Sequence, residues 1–377
     1  MVESADRRGT ASRYAVRRYR EDDRAAVLSL YESAGTPHSP EWFAWRFEHN
    51  PFSSRVPVLV AVGPDGDLAG ALPLAALRLG LGTPREAVLG LRVGDPLVRR
   101  CHDRHEVTTG LATACADRYA GEDPAVRFRF AEPTADSRWL DPDARTAGAV
   151  RTHYRVQRPA VLSDESRRGR LARAVSPAVA GYLEVRDRLV TVPDDVTVHR
   201  YTDLPLDLLW SLYRRAVPNT IHAIRNPAYY RWRFSDPEAL ATTYVTTLGG
   251  EPAAAVVAYA DARDGVRRLV LADLVPLLPT PDRTAATKAA LAVIVEEYDD
   301  ADLLVASGSG FPPAALRAFG FHADDALPLS AVTTPTTLVV APLAGRSSSG
   351  RDRWTLGGRA LDDVTNWTVA FGLREAG

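Results

Sequence analysis

The two halves of the chain repeat one order of segments, and this repeat restricts the fold more than any other feature of the sequence. The segment VTVHRY at 196–201 matches YAVRRY at 14–19. The Ser-Leu-Tyr triplets at 29–31 and 211–213 are separated by the same offset. YYRWRF at 229–234 follows WFAWRF at 42–47 with nearly that offset. Because several segments share order and spacing, the sequence predicts two copies of one domain.

Each copy also contains an apolar strand with one acidic residue. In the first copy this strand is LRVGDPLV, which contains Asp95. In the second copy it is LVLADLVPL, which contains Asp273. Asp95 follows Arg18 at nearly the distance along the chain at which Asp273 follows Arg200. We therefore expect Asp95 and Asp273 to occupy equivalent strands.

Local signals place helices and strands between these segments. Ser39 followed by Pro40 is typical of a helix start, with the serine as cap and the proline in the first turn. The runs VPVLVAV and LAGALPLAAL flank the turn GPDGD and predict a β-hairpin. Each copy thus reads as strand, helices, hairpin, acidic strand and helix.

These segments set the predicted boundaries. Trp354 and Trp367 make the C-terminal tail too apolar to stay exposed, so we expect it to pack on the second domain. Pro177 should break the helical stretches of the connector. The predicted units are a first domain at 14–159, a helical linker at 160–193, a second domain at 194–343 and a tail at 344–377.

Composition indicates a soluble globular protein. Hydrophobic residues make up 46% and charged residues 25% of the chain, and the formal net charge is −1. This charge gives no long-range reason to expect nucleic acid or an anionic membrane as a partner. With two cysteines and no hydrophobic leader or spanning segment, we expect a cytoplasmic protein.

The central segment, Leu91 to Cys115, carries the main functional signal. Its letters LRVGDPLVRRCHDRHEVTTGLATAC predict an apolar strand, a polar loop and a helix. Backbone N–H groups at such a helix start can bind a phosphate, assisted by the helix dipole. Cys115 lies on the apolar side of the helix and is expected in the core.

This segment resembles the acyl-CoA motif of the GNAT acetyltransferase superfamily, a strand followed by R/Q-x-x-G-x-G/A and a helix. Arg104, His105 and Glu106 stand where the family has Gly-x-Gly. The closing segments at 128–159 and 303–321 are also similar to those of the family. The resemblance implies an α/β fold of two tandem GNAT-like domains, each a mixed central sheet flanked by helices.

The resemblance also implies a co-substrate, an acceptor and a set of site residues. The co-substrate would be acetyl-CoA or another acyl-CoA, without a metal, and the acceptor a small amine or amino sugar. Asp95 and Asp273 are the candidate general bases, although a capped or salt-bridged carboxylate fits both equally well. The candidate acyl-CoA contacts form one run: Val98, Arg99, Arg100, Arg104, His105, Glu106, Val107 and Thr108.

The two copies differ in the expected donor loop. In the second copy, Pro279 and Pro281 supply no N–H groups, so we expect at most one acyl-CoA site, in the first domain. The tyrosine that serves the family as general acid falls on Trp139 in the first copy and near Ala315 in the second. Neither residue can donate a proton at neutral pH.

Two other interpretations stay open at this point. Cys101 and His105, with His102 beside Cys101, are residue types that zinc prefers, although their spacing matches no common finger. The second alternative is a non-catalytic binding or scaffolding protein that keeps the fold and has lost the chemistry, and fold alone does not separate it from an N-acyltransferase.

Overall fold

The computed structural model describes most of the chain in several stretches. Trp139, residues 1–12 and 160–166, and the start of the predicted tail at 344–351 lie outside the described residues. The described stretches are 13–119, 126–131, 143–159, 167–192, 195–263, 265–331, 333–343 and 352–374.

The first half of the chain supplies strands and helices in alternation. The predicted hairpin at 58–81 is confirmed, since its two strands pair antiparallel. In chain order the elements are β1 (Ala15–Arg18), α1 (Arg24–Ser33), α2 (Pro40–Phe43), β2 (Val58–Val62), β3 (Leu68–Leu81), β4 (Thr83–Val93), β5 (Leu97–Val98), α3 (Arg104–Tyr119), β6 (Val126–Ala131), β7 (Arg145–Val150) and β8 (Thr152–Val156).

The second half repeats this pattern after a connecting helix. Its elements are α4 (Arg167–Arg188), β9 (Val196–Tyr201), α5 (Leu206–Arg215), β10 (His222–Ala223), α6 (Pro227–Arg233), β11 (Ala241–Leu248), β12 (Glu251–Arg263), β13 (Val266–Val275), α7 (Arg283–Glu297), β14 (Leu303–Ser307), α8 (Pro313–Ala318), β15 (His322–Ala323) and β16 (Thr336–Pro342). The tail adds β17 (Thr355–Leu356), β18 (Arg359–Ala360) and α9 (Phe371–Arg374).

The strands form two large mixed sheets of the same order, beside the short pair β17-β18. The first sheet runs β1-β2-β3-β4-β6-β16-β7 and the second β9-β11-β12-β13-β14-β8-β15. In each sheet the central contact, β4 with β6 or β13 with β14, is parallel and its neighbours are antiparallel. Two mixed sheets with flanking helices confirm the predicted α/β fold class. We call them the first and second units.

Each unit receives a closing strand from the opposite half of the chain, and the short strand β10 of the second half also pairs with β3 of the first sheet. β8 closes the first half of the sequence but pairs with β14 in the second sheet. β16 closes the second half but pairs with β6 and β7 in the first sheet. The predicted limits 14–159 and 194–343 therefore do not coincide with the sheets at these two strands. The closing strand of either half can satisfy the backbone hydrogen bonds of either sheet. Sequence similarity between the halves therefore does not reveal the exchange.

The connecting helix α4 continues through Pro177, where the sequence predicts a break. Its C-terminal part packs on the second unit. There Leu183 is buried, and Asp187 forms a 2.7 Å ion pair with Arg155 of β8. Within the described part of the chain, no helix combines the length and apolar character needed to cross a membrane.

Equivalent helix starts position the aromatic segments that join the units. Ser39 caps α2 by accepting a hydrogen bond from the Trp42 N–H, and Asn226 caps α6 in the same way from Tyr229. Each cap is followed by proline, which suits the first helical turn. The predicted start at Ser39 is confirmed.

The two Trp-Arg-Phe segments that follow these caps meet at the centre of the molecule. The indole N–H of Trp45 donates to the Trp232 carbonyl at 2.5 Å, and the indole N–H of Trp232 donates to the Trp45 carbonyl at 3.0 Å. Both side chains are buried, at 6% and 5% exposed. The contact is reciprocal, since each segment donates one indole hydrogen bond to the other and accepts one from it. One large hydrophobic core drawn from both units surrounds it.

The tail contacts both units. Trp354 lies under the guanidinium group of Arg145 of β7, at 4.0 Å, and Trp367 packs on Phe128 of β6. Both tryptophans are buried, but against the first sheet, whereas the sequence predicts packing on the second domain. The last described residues, in α9, contact β13 and β14 of the second sheet.

We expect Trp45→Phe and Trp232→Phe to lower the free energy of unfolding by similar amounts. Each substitution leaves one buried carbonyl without its donor, which costs about 1–3 kcal/mol. Chemical denaturation measures the loss. Trp210→Phe is the control, because this half-buried indole stacks on Tyr213 and phenylalanine keeps most of the stack. Unequal effects, or none, would contradict the reciprocal arrangement.

Candidate functional site

The first sheet opens at Gly94, immediately after β4. Pairing between β4 and β6 covers residues 90–92 against 126–128 and then stops. On β3, Leu74 pairs with Val93 and Ala71 pairs with Leu97. The chain therefore advances three residues along β3 but four residues from β4 to β5. This one-residue bulge turns the chain away from β6. A gap therefore separates β4 from β6 beyond Phe128.

A small apolar cavity lies at the gap on the side of α3. Its volume is about 30 Å³. Its lining residues come from β4, α3, β6 and β16 and include Val93, Ala112, Cys115, Arg129 and Ala341. Cys115 is buried, as predicted. We call this cavity the slot.

A second cavity lies on the opposite face of the first sheet. Side chains alternate along a strand, so Val93 faces α3 while Arg92 faces the other side. This cavity has a volume of about 290 Å³. Its lining includes Tyr31, Arg46, Arg92, Gly94 and Asp95. We call it the acceptor cavity. The slot and the acceptor cavity meet at the bulge.

Asp95 stands at that meeting point. Its side chain is 87% exposed, and its carboxylate lies 3.4 Å from the Arg129 guanidinium across the gap. Asp95 follows β4, whereas Asp273 lies within β13. The two strands occupy the same place in their sheets. The structure thus brings Asp95 to the acceptor cavity.

A polar cleft between the units continues the acceptor cavity. It has a volume of about 640 Å³ and shares Tyr31 and Thr36 with the acceptor cavity. In this cleft His38 Nδ1 lies 2.9 Å from the carboxylate of Glu238, and the imidazole stacks on Trp42 at 3.6 Å. The sequence analysis missed this pair, because its members lie in different halves of the chain and neither belongs to a repeated motif.

Tyr31 lines both the acceptor cavity and the cleft, and its burial changes the pKa of its hydroxyl. Desolvation, the largest effect, raises the pKa of Tyr31, although Arg46 and Arg92 act in the opposite direction. The phenol therefore keeps its proton at neutral pH. Tyr31 is thus a neutral phenol beside the acceptor cavity.

The equivalent gap of the second unit is filled. A bulge at Ala272 interrupts β13. Val257 of β12 pairs with Asp273 and the next residue, Ala258, pairs with Leu271, so Ala272 between them is skipped. The tail enters there. The Ser309 N–H donates to the Val369 carbonyl, and the Arg233 guanidinium donates to the Gly372 carbonyl at 3.0 Å.

Asp273 is enclosed by polar side chains of the second half of the chain. Its carboxylate is buried, accepts from the Arg225 guanidinium at 3.3 Å and accepts from the Tyr230 hydroxyl at 3.2 Å. Burial lowers the pKa of Arg225, but the neighbouring Asp273 outweighs it and the net shift is upward. A general base must reach its substrate, and the enclosed carboxylate of Asp273 matches the salt-bridged alternative that the sequence leaves open.

The start of α3 already holds two carboxylates. The Asp103 side chain accepts from the Glu106 N–H at 3.0 Å. The Glu106 carboxylate in turn binds the Arg13 guanidinium at 3.0 Å. These contacts occupy the helix N-terminus that the sequence predicts as a phosphate cradle. Arg100, Arg104 and His105 are exposed around it.

The other predicted acyl-CoA residues support the loop by packing. Val98 pairs with Gly70, and the Arg99 N–H donates to the Ala69 carbonyl. Val107 is buried so close to Gly70 that a Cβ there would lie 2.7 Å from it. The Thr108 hydroxyl donates to the Arg104 carbonyl at 2.6 Å.

The zinc interpretation finds no support in the loop. Cys101 is exposed, and His102 lies edge-on to Tyr14 with its Nδ1 3.5 Å from the phenol oxygen. Across the stretches that the structure describes, no group of three His, Cys, Asp or Glu side chains could hold a metal ion.

Comparison with solved structures identifies the fold. A GCN5-related N-acetyltransferase from Anabaena variabilis covers 87% of this chain and 72% of its own at 9% identity, with a TM-score of 0.52. Saccharomyces cerevisiae N-myristoyltransferase, solved with bound myristoyl-CoA and inhibitors, covers 88% and 81% at 12% identity, with a TM-score of 0.57. A probable N-acyltransferase from Enterococcus faecalis covers 88% and 72% at 8% identity, with a TM-score of 0.56.

These similarities confirm the predicted GNAT-like fold. No family model matches the sequence, and no curated protein matches it significantly. At such low identities the shared property is the fold, and activity has to be argued from the site.

The matched position of Tyr31 in the second unit gives a pH prediction. There the Tyr213 hydroxyl lies 2.8 Å from Nε2 of buried His222, whose Nδ1 lies 2.7 Å from the Thr220 carbonyl. Burial lowers the pKa of His222 from 6.5 to about 4. The unfolded state therefore binds more protons between these values, so stability falls as the pH drops from 6.5 towards 4. The loss is about 3 kcal/mol for one histidine.

Denaturation across this pH range tests the prediction in His222→Gln. The variant should be less stable at pH 8 and show a smaller loss of stability between pH 6.5 and pH 4. His153, whose pKa burial also lowers to about 4, keeps its own contribution. Exposed His105→Gln is the control and should follow the original protein. An unchanged slope in His222→Gln would refute the assignment.

Proposed function

We propose that the protein is an acyl-CoA-dependent N-acyltransferase for a small amine, with the first unit as the active one. The observation that carries this proposal is the difference between the two gaps. Beside β4 the sheet opens into the slot and the acceptor cavity, whereas beside β13 the tail fills the same place. The second unit then supports the first and lines one wall of the cleft.

The donor, acetyl-CoA or another acyl-CoA, would reach the bulge from the α3 side. Its pantetheine arm would pass through the gap between β4 and β6, along the apolar lining that Val93 and Ala112 provide at the slot. Asp103 and Glu106 occupy the helix start, so the exposed guanidinium groups of Arg100 and Arg104 would hold the phosphates. Guanidinium groups bind phosphate oxygens in pairs.

The acceptor amine would attack from the acceptor cavity. Its nitrogen forms a bond with the thioester carbonyl carbon, the carbon–sulfur bond breaks, and the thiolate leaves. Asp95 takes the proton from nitrogen, and the Tyr31 hydroxyl gives one to the sulfur. Both groups line this cavity.

The occupied helix start of α3 favours a second candidate, the scaffolding protein. Asp103 and Glu106 are acidic where the donor's phosphates would arrive, and this opposes binding. A scaffold would bind no acyl-CoA. The titrations below therefore separate the two candidates.

Filling the slot should weaken donor binding. We expect Ala112→Leu to lower the affinity for acetyl-CoA at least tenfold, ~1.4 kcal/mol, because the added side chain occupies the path of the pantetheine arm. Calorimetric titration measures the affinity. Thr113→Leu is the matched control, since it adds bulk at an exposed position of the same helix.

Arg104→Glu provides a second arm of the same titration. It reverses one charge near the donor's phosphates without entering the slot, and should weaken binding by a similar factor. Equal affinities in Ala112→Leu and Thr113→Leu would exclude the slot as the donor path. Absence of binding in the original protein would favour the scaffold.

The catalytic assignment makes a separate prediction about rate. Asp95→Asn should lower kcat at least a hundredfold and leave acetyl-CoA affinity unchanged, because general base catalysis contributes roughly a factor of 100 to 10,000. Steady-state kinetics with the acceptor give kcat. Asp117→Asn, at an exposed position of α3, is the control for loss of one negative charge. An Asp95→Asn variant with full kcat would remove Asp95 from the mechanism.

A further inference from the structure

Arg46 is a buried charge beside the acceptor cavity. It lies on the π-helical turn Ala44–Glu48 and is 3% exposed. Its Nη1 is buried and has no hydrogen-bond partner among the described residues. Phe47 and Trp232 flank the guanidinium with their rings at 5.7 and 5.6 Å. The side chain lines the acceptor cavity, so a ligand there could reach it.

The groups around Arg46 do not compensate its buried positive charge. Burial is the largest effect and lowers the pKa of Arg46, and the guanidinium groups of Arg92 and Arg233 lower it further. Tyr31 and Asp236 act in the opposite direction without restoring it. Burying a charge without a partner is costly, and a protein recovers that cost when a ligand neutralises the charge.

The second unit shows what an arginine at this position binds. Arg233 occupies the same place in its Trp-Arg-Phe segment as Arg46 does in the first unit. Arg233 donates to the Gly372 carbonyl of the tail at 3.0 Å. Where the second unit has that carbonyl oxygen, the first unit has the acceptor cavity.

We propose that Arg46 binds a carboxylate of the acceptor, so that the acceptor is an amine that also carries a carboxylate. This inference rests on the proposed function, since it names the substrate class of the same site. Arg46 would hold the carboxylate, while Asp95 in the same cavity faces the amine. Guanidinium and carboxylate match in geometry as well as in charge.

The acceptor, and not the acyl chain, is the source of this carboxylate. The acceptor cavity continues into the cleft between the units through Tyr31 and Thr36, on the face of the sheet away from α3. A donor that arrives along α3 reaches the bulge with its thioester, whereas the acceptor enters past Arg46.

Binding without acyl-CoA tests the proposal. Glycine, L-alanine, β-alanine and 4-aminobutyrate, each beside its carboxamide, are titrated into the full chain by calorimetry. At least one amino acid should bind, and its amide at least tenfold more weakly. Arg46→Met should abolish this preference. Arg46→Lys keeps the charge but loses the paired guanidinium donors, so it should weaken amino acid binding at least tenfold. Arg55→Met is the control, because exposed Arg55 lines a different cavity.

The melting temperature of the ligand-free protein separates recognition from a structural role. Arg46→Met removes a buried charge whose Nη1 lacks a partner among the described residues, so its melting temperature should equal or exceed that of the original protein. A large fall in both Arg46→Met and Arg46→Lys would make Arg46 a structural residue and overturn the proposal.

Other outcomes are equally decisive. The proposal is overturned if no amino acid binds, if amides bind as well as acids, or if Arg46→Met keeps the preference. It is also overturned if Arg46→Met instead weakens the binding of succinyl-CoA at least tenfold more than the binding of acetyl-CoA. That result would place the carboxylate on the acyl chain. Amino acid binding without acetyl-CoA binding would keep the carboxylate site and reject the acyl transfer.

Discussion

The reciprocal hydrogen bonds between Trp45 and Trp232 are the contact on which the arrangement of the two units depends. They join the Trp-Arg-Phe segment of one unit to that of the other. β8 and β16 then complete each sheet from the opposite half of the chain. Neither sheet is complete without the other copy, and most of the large core is shared between them. The two units therefore share their sheets and most of one core.

Within this symmetric frame, the tail makes the two sites different. Its residues Val369 and Gly372 occupy the gap beside β13, and the Gly372 carbonyl accepts a hydrogen bond from Arg233. The first unit keeps the gap open, with Asp95 exposed and Arg46 buried beside a cavity. In the second unit the tail occupies the gap as a ligand would, whereas in the first unit the same gap is open. The proposed division of labour between the units follows from this difference.

The sequence predicts the parts of the structure that local pattern controls. The hairpin at 58–81 and the helix start at Ser39 follow from turn and capping chemistry, and the repeat of segment order finds the two Trp-Arg-Phe segments. The strand exchange is not predictable in this way, because a strand's own residues do not specify which copy of the sheet it joins. Asp95 and Asp273 look alike in sequence, and what separates them is Arg225 in another segment of the chain. His38 and Glu238 likewise come from different halves of the chain, and no local pattern records their contact.

The most direct test of the account is a structure of the protein with a non-hydrolysable acyl-CoA analogue bound. We expect one analogue per chain, with its pantetheine arm between β4 and β6 beside Val93, and residues 369–374 still packed between β13 and β14. An arm between β13 and β14 with the tail displaced, or analogues bound in both units, would contradict it.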